Sequence, residues 1–156
     1  DDQVNALFKV VTQTPGDLGD VIAQHFGCLD TQAGLRVETT EVLRDDVAQI
    51  TGRLRHHLEQ GVDLIVTVGG TGVHPGDQTV AAVRPLLDKE LPGFMEAARG
   101  YGQRRTPYAM LSAGVAGMSG KTLLITFPGS SRGAQETLTA LISGIVHTIH
   151  SLRRGG

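Results

Sequence analysis

Tryptophan is absent from the 156 residues, and aromatic residues make up only 4% of them. Packing must therefore rest on Leu, Val, Ile and Ala. Cysteine is almost as scarce: Cys28 stands alone, which excludes an internal disulfide, and as a small residue in an apolar helical stretch it reads as core filler. An excess of charge is lacking too. A formal net charge of -2 and a pI near 6.3 offer no electrostatic case for nucleic acid or an anionic membrane as partner. No apolar run approaches the roughly 20 residues that span a bilayer. No signal sequence opens the chain, so a reducing cytoplasm is the expected location. The length suits a single domain over 1–156 with a core of its own. The chain opens on Asp1 rather than Met, which is compatible with a processed segment or a domain of a longer fusion.

Against these absences, the stretch from Asp63 to Thr79 carries the most information. Leu64-Ile65-Val66-Thr67-Val68 is an apolar, β-branched run that reads as a buried parallel strand, and it ends in Gly69-Gly70-Thr71-Gly72. Glycines at 69, 70 and 72 let backbone N–H groups approach an anion, and Thr71 adds a hydroxyl donor. Asp77 is then a carboxylate beside a phosphate site, which points to magnesium. Taken alone, the glycine run reads equally well as a structural turn.

Strands and helices alternate along the rest. Residues 6–11 read as a first strand, and the spacing of Val21, Ile22, His25 and Phe26 marks a short helix. Residues 35–43 alternate as a second strand, and Asp45-Asp46 open a helix with Val47, Ile50, Leu54 and Leu58 on its apolar face. Helices are expected from Thr79 to Leu87 and from Phe94 to Tyr101. Tyr108–Val115 and Thr122–Phe127 are expected to form a hairpin or two nearby strands. A long helix from Arg132 follows, with Ala134, Leu138, Leu141, Ile145, Ile149 and Leu152 on one stripe. The pattern predicts a three-layer α/β/α sandwich with a mostly parallel sheet.

A second anion loop, Pro128-Gly129-Ser130-Ser131-Arg132-Gly133, also follows an apolar strand and opens a helix. By itself it reads as a Ser-capped helix; two such loops together outline a phosphate-rich ligand lying along one sheet edge. Asp45, just past the second strand, is placed to approach Asp77 and complete a magnesium site. Ser119-Gly120-Lys121-Thr122 is not a nucleotide-binding P-loop: Val115 stands where that motif needs glycine, and strand rather than helix follows. A dinucleotide fingerprint is excluded as well, since Pro75 occupies the place of the third glycine. His147 and His150 lack an accompanying carboxylate or cysteine and read as packing or surface residues, and His56-His57 as a solvated helix edge. His74 is the histidine whose position invites a ligand.

Taken in order, Gly-Gly-Thr-Gly with Pro75-x-Asp77-x-Thr79, Leu91-Pro92-Gly93-Phe94-x-Glu96-x-x-Arg99, Leu111-Ser112 and Pro128-Gly129-Ser130 resemble the molybdopterin-binding family. Its members include molybdopterin adenylyltransferases of the Mog and MoaB types. The resemblance covers most of residues 36–150. It implies a three-layer fold, assembly as a trimer or a multiple of one, contacts with other cofactor-biosynthesis proteins, and Mg-ATP-dependent transfer of AMP onto the terminal phosphate of molybdopterin. It makes Mg²⁺ the cofactor, and ATP and molybdopterin the substrates. Asp77 and Asp45 become the catalytic, metal-holding carboxylates. Gly69, Gly70, Thr71, Gly72, Thr79, Ser112, Pro128, Gly129 and Ser130 become binding residues, with Glu96 and Arg99 shaping the pocket. A Glu96–Arg99 pair within one helix is the structural alternative for those two.

This chain departs from the family pattern at three places. Thr12-Gln13-Thr14 and Asp17-Leu18-Gly19 replace a Ser-Asp and Asp-x-Ser-Gly element, Gly76 stands where arginine is usual before Asp77, and Ala113 follows Ser112 in place of arginine. The alternative function is therefore a catalytically impaired homologue acting as a pterin- or nucleotide-binding module.

Overall fold

The computed structural model describes residues 6–12 and 35–155, with side chains from residue 38 onward. The expected helix at Val21–Phe26, Cys28 and the Asp17-Leu18-Gly19 stretch lie outside the described residues. β1 (Ala6–Thr12), β2 (Leu35–Val42), β3 (Leu64–Val68), β4 (Lys89–Glu90), β5 (Ala116–Ser119) and β6 (Thr122–Phe127) form one six-stranded sheet in the order β2-β1-β3-β6-β5-β4. β2, β1, β3 and β6 run parallel; β5 and β4 are antiparallel additions at one edge.

Register and pleat divide the core between two faces. Leu64, Val66 and Val68 pair with Leu123, Ile125 and Phe127. They pack beneath α3 (Pro92–Gln103) and α4 (Ser131–Arg154), whose Met95, Ala134, Leu138, Leu141, Ile145 and Ile149 are buried on them. The alternate residues Ile65 and Leu124 face α1 (Val47–Glu59) and α2 (Thr79–Val83), through Ile50, Leu54, Ala82 and Val83. Helices on both faces of a mainly parallel sheet make the expected three-layer sandwich. No helix of the described residues is long and apolar enough to cross a membrane.

Two expected elements end elsewhere. The helix from Thr79 stops at Val83 and tightens into a 3₁₀ turn at Arg84–Leu86, because Pro85 has no N–H to continue the ladder. The strand expected over Tyr108–Val115 does not form. Ala109–Leu111 is a 3₁₀ turn, Tyr108 is exposed, and Ala113 N–H donates to Thr71 O at 2.7 Å, which ties this segment to the glycine loop. The hairpin strand is Ala116–Ser119 instead, joined to β6 by Gly120-Lys121 with Gly120 at φ 57°.

The Asp45-Asp46 pair divides its work. Asp46 is the N-cap of α1, its Oδ1 accepting from Gln49 N–H at 2.7 Å, whereas Asp45 is exposed. His56-His57 do not form a solvated edge: His56 is exposed, but His57 is 1% exposed, one turn beyond Leu54 on the buried face.

Candidate functional site

β3 and β6 are parallel neighbours, so the chain leaves both at the same sheet edge, next to the point where strand order reverses between β1 and β3. Gly69 and Gly70 turn the chain there with φ of 94° and 63°, conformations that carry no steric cost only for glycine. Gly69 N–H extends the ladder to Phe127 O at 3.0 Å. The next three N–H groups, of Gly70, Thr71 and Gly72, donate to no described residue, although Thr71 is only 5% exposed. Such a run of donors, unpartnered among the described residues and beside a buried residue, suits an anionic acceptor.

The second loop meets the first. A Cβ on Gly129 would lie 3.2 Å from the Cα of Gly69, so the two glycine turns rest on one another. Ser130 caps α4 by accepting Gly133 N–H at 3.1 Å, and a Cβ at Gly133 would press on that Oγ at 2.7 Å. The hydroxyl hydrogen of Ser130 and the N–H groups of Gly129 and Ser130 have no partner among the described residues, and they stand at the positive end of a long helix. Thr79 fastens α2 to the same corner, its N–H donating to Gly70 O at 3.2 Å.

Asp77 is half-buried and braces the turn. Its Oδ2 accepts from His74 N–H at 2.9 Å and would meet a Cβ on Gly72 at 2.8 Å. Asp45 and Gln78 line one groove at the start of α1, which brings Asp45 toward this turn. Among the described residues no group of three or more His, Cys, Asp or Glu side chains is arranged to hold an ion. Asp77 and Asp45 are the carboxylates the sequence offered for Mg²⁺, an ion commonly held by one or two carboxylates together with substrate phosphates.

The remaining expected residues separate. Arg99, Ser112 and Pro128 line a small cavity of about 50 Å³ beside Thr126 and Gly133, with Arg99 Nη1 donating to Ser112 O at 3.2 Å. Glu96 is exposed on α3 and makes no ion pair with Arg99, so the helix pair weighed for them is not formed. Arg132 is committed to Glu136, Nε to Oε1 at 2.9 Å. Leu91, Pro92, Gly93 and Phe94 line a separate apolar groove of about 530 Å³ against α4. Sequence reasoning marked His74 as the histidine whose position invites a ligand; its bond to Gly76 N–H was not foreseen.

With the geometry established, comparison with known proteins is specific. Residues 6–148 match the family described as a probable molybdopterin binding domain. The chain belongs to the molybdopterin-binding family. Molybdenum cofactor biosynthesis protein B of Staphylococcus carnosus is 35% identical over 147 residues, covering 92% of this chain and 86% of that protein. The molybdenum cofactor biosynthesis bifunctional protein of Chlorobaculum tepidum is 33% identical over 125 residues; the match takes in 80% of this chain and 40% of that longer protein. A molybdopterin biosynthesis protein from Mycobacterium abscessus has the same fold, with a TM-score of 0.84, 34% identity and 96% of each chain covered. The family's three-layer architecture is thus the one seen here, and the paired glycine loops lie at the carboxyl ends of β3 and β6.

Proposed function

We propose that this chain acts in molybdenum cofactor biosynthesis by transferring AMP from ATP to the terminal phosphate of molybdopterin. The observation that carries the reading is the pair of abutting glycine loops, where the N–H groups of Gly70, Thr71, Gly72, Gly129 and Ser130 lack partners among the described residues and can hold several phosphate oxygens at once. Family membership and the names of the similar proteins supply the chemistry of the ligand.

The reaction asks little of acid–base groups. A phosphate monoester oxygen, already anionic near neutral pH, forms a bond to the α-phosphorus of ATP, the α–β bridging bond breaks, and pyrophosphate leaves. Alignment and hydrogen-bond donation suffice. Gly70, Thr71, Gly72, Gly129 and Ser130 bind and align phosphates. Thr79 and Gly69 fix the corner. Ser112, Pro128 and Arg99 form the wall beside it. Asp77 and Asp45 would hold Mg²⁺, which supplies charge neutralisation between the phosphates when bound.

Incubation with molybdopterin, ATP and MgCl₂, followed by detection of adenylylated pterin and pyrophosphate, tests the reading. Turnover in the wild type and its loss in Asp77→Asn are expected. Asparagine can still accept His74 N–H through its amide oxygen, so the turn persists while the charge goes. Full activity in Asp77→Asn would remove Asp77 from the mechanism.

One observation favours a second reading, a non-catalytic pterin- or nucleotide-binding module. Gly76 and Ala113 stand in place of two arginines, which leaves the site with fewer guanidinium donors for phosphates. Binding of both ligands without product would select it. Assembly as a trimer belongs to the same proposal, and light scattering that shows a stable monomer would overturn it.

A further inference from the structure

His74 is held in the turn between Gly72 and Asp77 with its side chain exposed. Its ring Nδ1 accepts the backbone N–H of Gly76 at 2.9 Å, while its own backbone N–H goes to Asp77 Oδ2. An imidazole whose Nδ1 accepts carries its hydrogen on Nε2 in the neutral form. The ring is therefore locked as an Nε2–H donor on its far side, and no described residue accepts that hydrogen.

Glycine at 76 makes room for this ring. A Cβ there would stand 3.0 Å from Nδ1 and 3.4 Å from Cε1, whereas the backbone of Gly76 does not have the positive φ that would itself demand glycine. Imidazole, Asp77 carboxylate and the unpartnered N–H of Gly72 thus share one short turn at the edge where the glycine loops meet.

We propose that His74 is a substrate-contacting residue of this site, donating from Nε2 to an anionic phosphate oxygen. The assignment rests on the phosphate site under Proposed function. It gives that site a side-chain donor in the same turn as Asp77 and Gly72.

The rival role for His74, a brace for the turn and nothing more, is separable by substitution. In His74→Asn the amide oxygen can take the place of Nδ1 and keep the Gly76 bond, but the side chain ends short of Nε2. In His74→Gln an amide N–H reaches the Nε2 position, while the Nδ1 acceptor is lost. Wild type and both variants are titrated calorimetrically with ATP in MgCl₂ and, separately, with molybdopterin, and their thermal midpoints are compared.

The expected result is that His74→Asn keeps its midpoint yet binds one of the two ligands about tenfold more weakly, as for one lost hydrogen bond to a charged group. His74→Gln should stay within about threefold of wild type, since it keeps a donor at that position. The ligand affected shows whose phosphate the ring contacts. Gly76→Ala, which displaces the ring while leaving the histidine, should reproduce the tenfold loss and add nothing in the His74→Asn background.

Unchanged binding of both ligands in His74→Asn, with or without a loss in His74→Gln, overturns the assignment and leaves the phosphate site standing. So does unchanged binding in Gly76→Ala. Wild type that binds neither ligand overturns the phosphate site, and this assignment with it.

Discussion

Glu41, near the end of β2, accepts Arg53 Nε at 3.0 Å, forms a close ion pair with Arg53 Nη2, and lies 3.3 Å from the buried His57 Nε2. The Arg53 hydrogen bond is the main force holding the Glu41 carboxyl below the usual carboxylate range; partial burial opposes it, and His57 assists. A carboxylate whose pKa is depressed by folding stabilises the protein fully above its unfolded pKa, and loses that contribution as pH falls through the folded one. Glu41→Gln should therefore cost about 1 kcal/mol near neutrality, solvent screening included. The gap between variant and wild type should close in acid. Denaturant unfolding across pH measures this, and a gap that widens in acid would contradict the assignment. Residue roles were unevenly legible in the sequence. An N-cap within Asp45-Asp46 was readable, because a cap acts on its own neighbours. The burial of His57 was not, since two adjacent histidines look alike until Glu41 arrives from a strand elsewhere in the chain.

At the scale of elements, the short β4 rests on a single small residue. A Cβ on Gly117 would collide with the carbonyl oxygen of Lys89 and would lie 2.9 Å from Leu87 Cδ1. Gly117→Ala should push β4 from β5 and destabilise the fold by about 1–3 kcal/mol, as overpacking does. An unchanged denaturation midpoint would show that β4 moves aside freely. β3, β6, α1 and α4 were legible because each carries its own period: unbroken apolar runs for buried strands, a 3.6-residue stripe for helices. β5 was not. Tyr108–Val115 is as apolar as a strand, yet its N–H at Ala113 is claimed by Thr71, and Pro85 cut α2 short against an otherwise helical pattern.

The whole molecule adds what no local pattern holds, the pairing of β3 with β6 that lays two distant glycine loops against each other. The sequence announced both loops, and the resemblance ordered them. The Arg99 bond to Ser112 O and the clamp on His74 depend on contacts that only the folded chain makes. The central claim is that both loops hold phosphates as one site. Amide NMR during titration with ATP and MgCl₂ tests it most directly. The signals of Gly70, Thr71, Gly72, Gly129 and Ser130 should move together along one saturation curve, and adding EDTA should reverse them, because Asp77 and Asp45 repel a triphosphate without its metal. Shifts confined to one loop, or to the α3–α4 groove at Phe94 and Gly144, would contradict it.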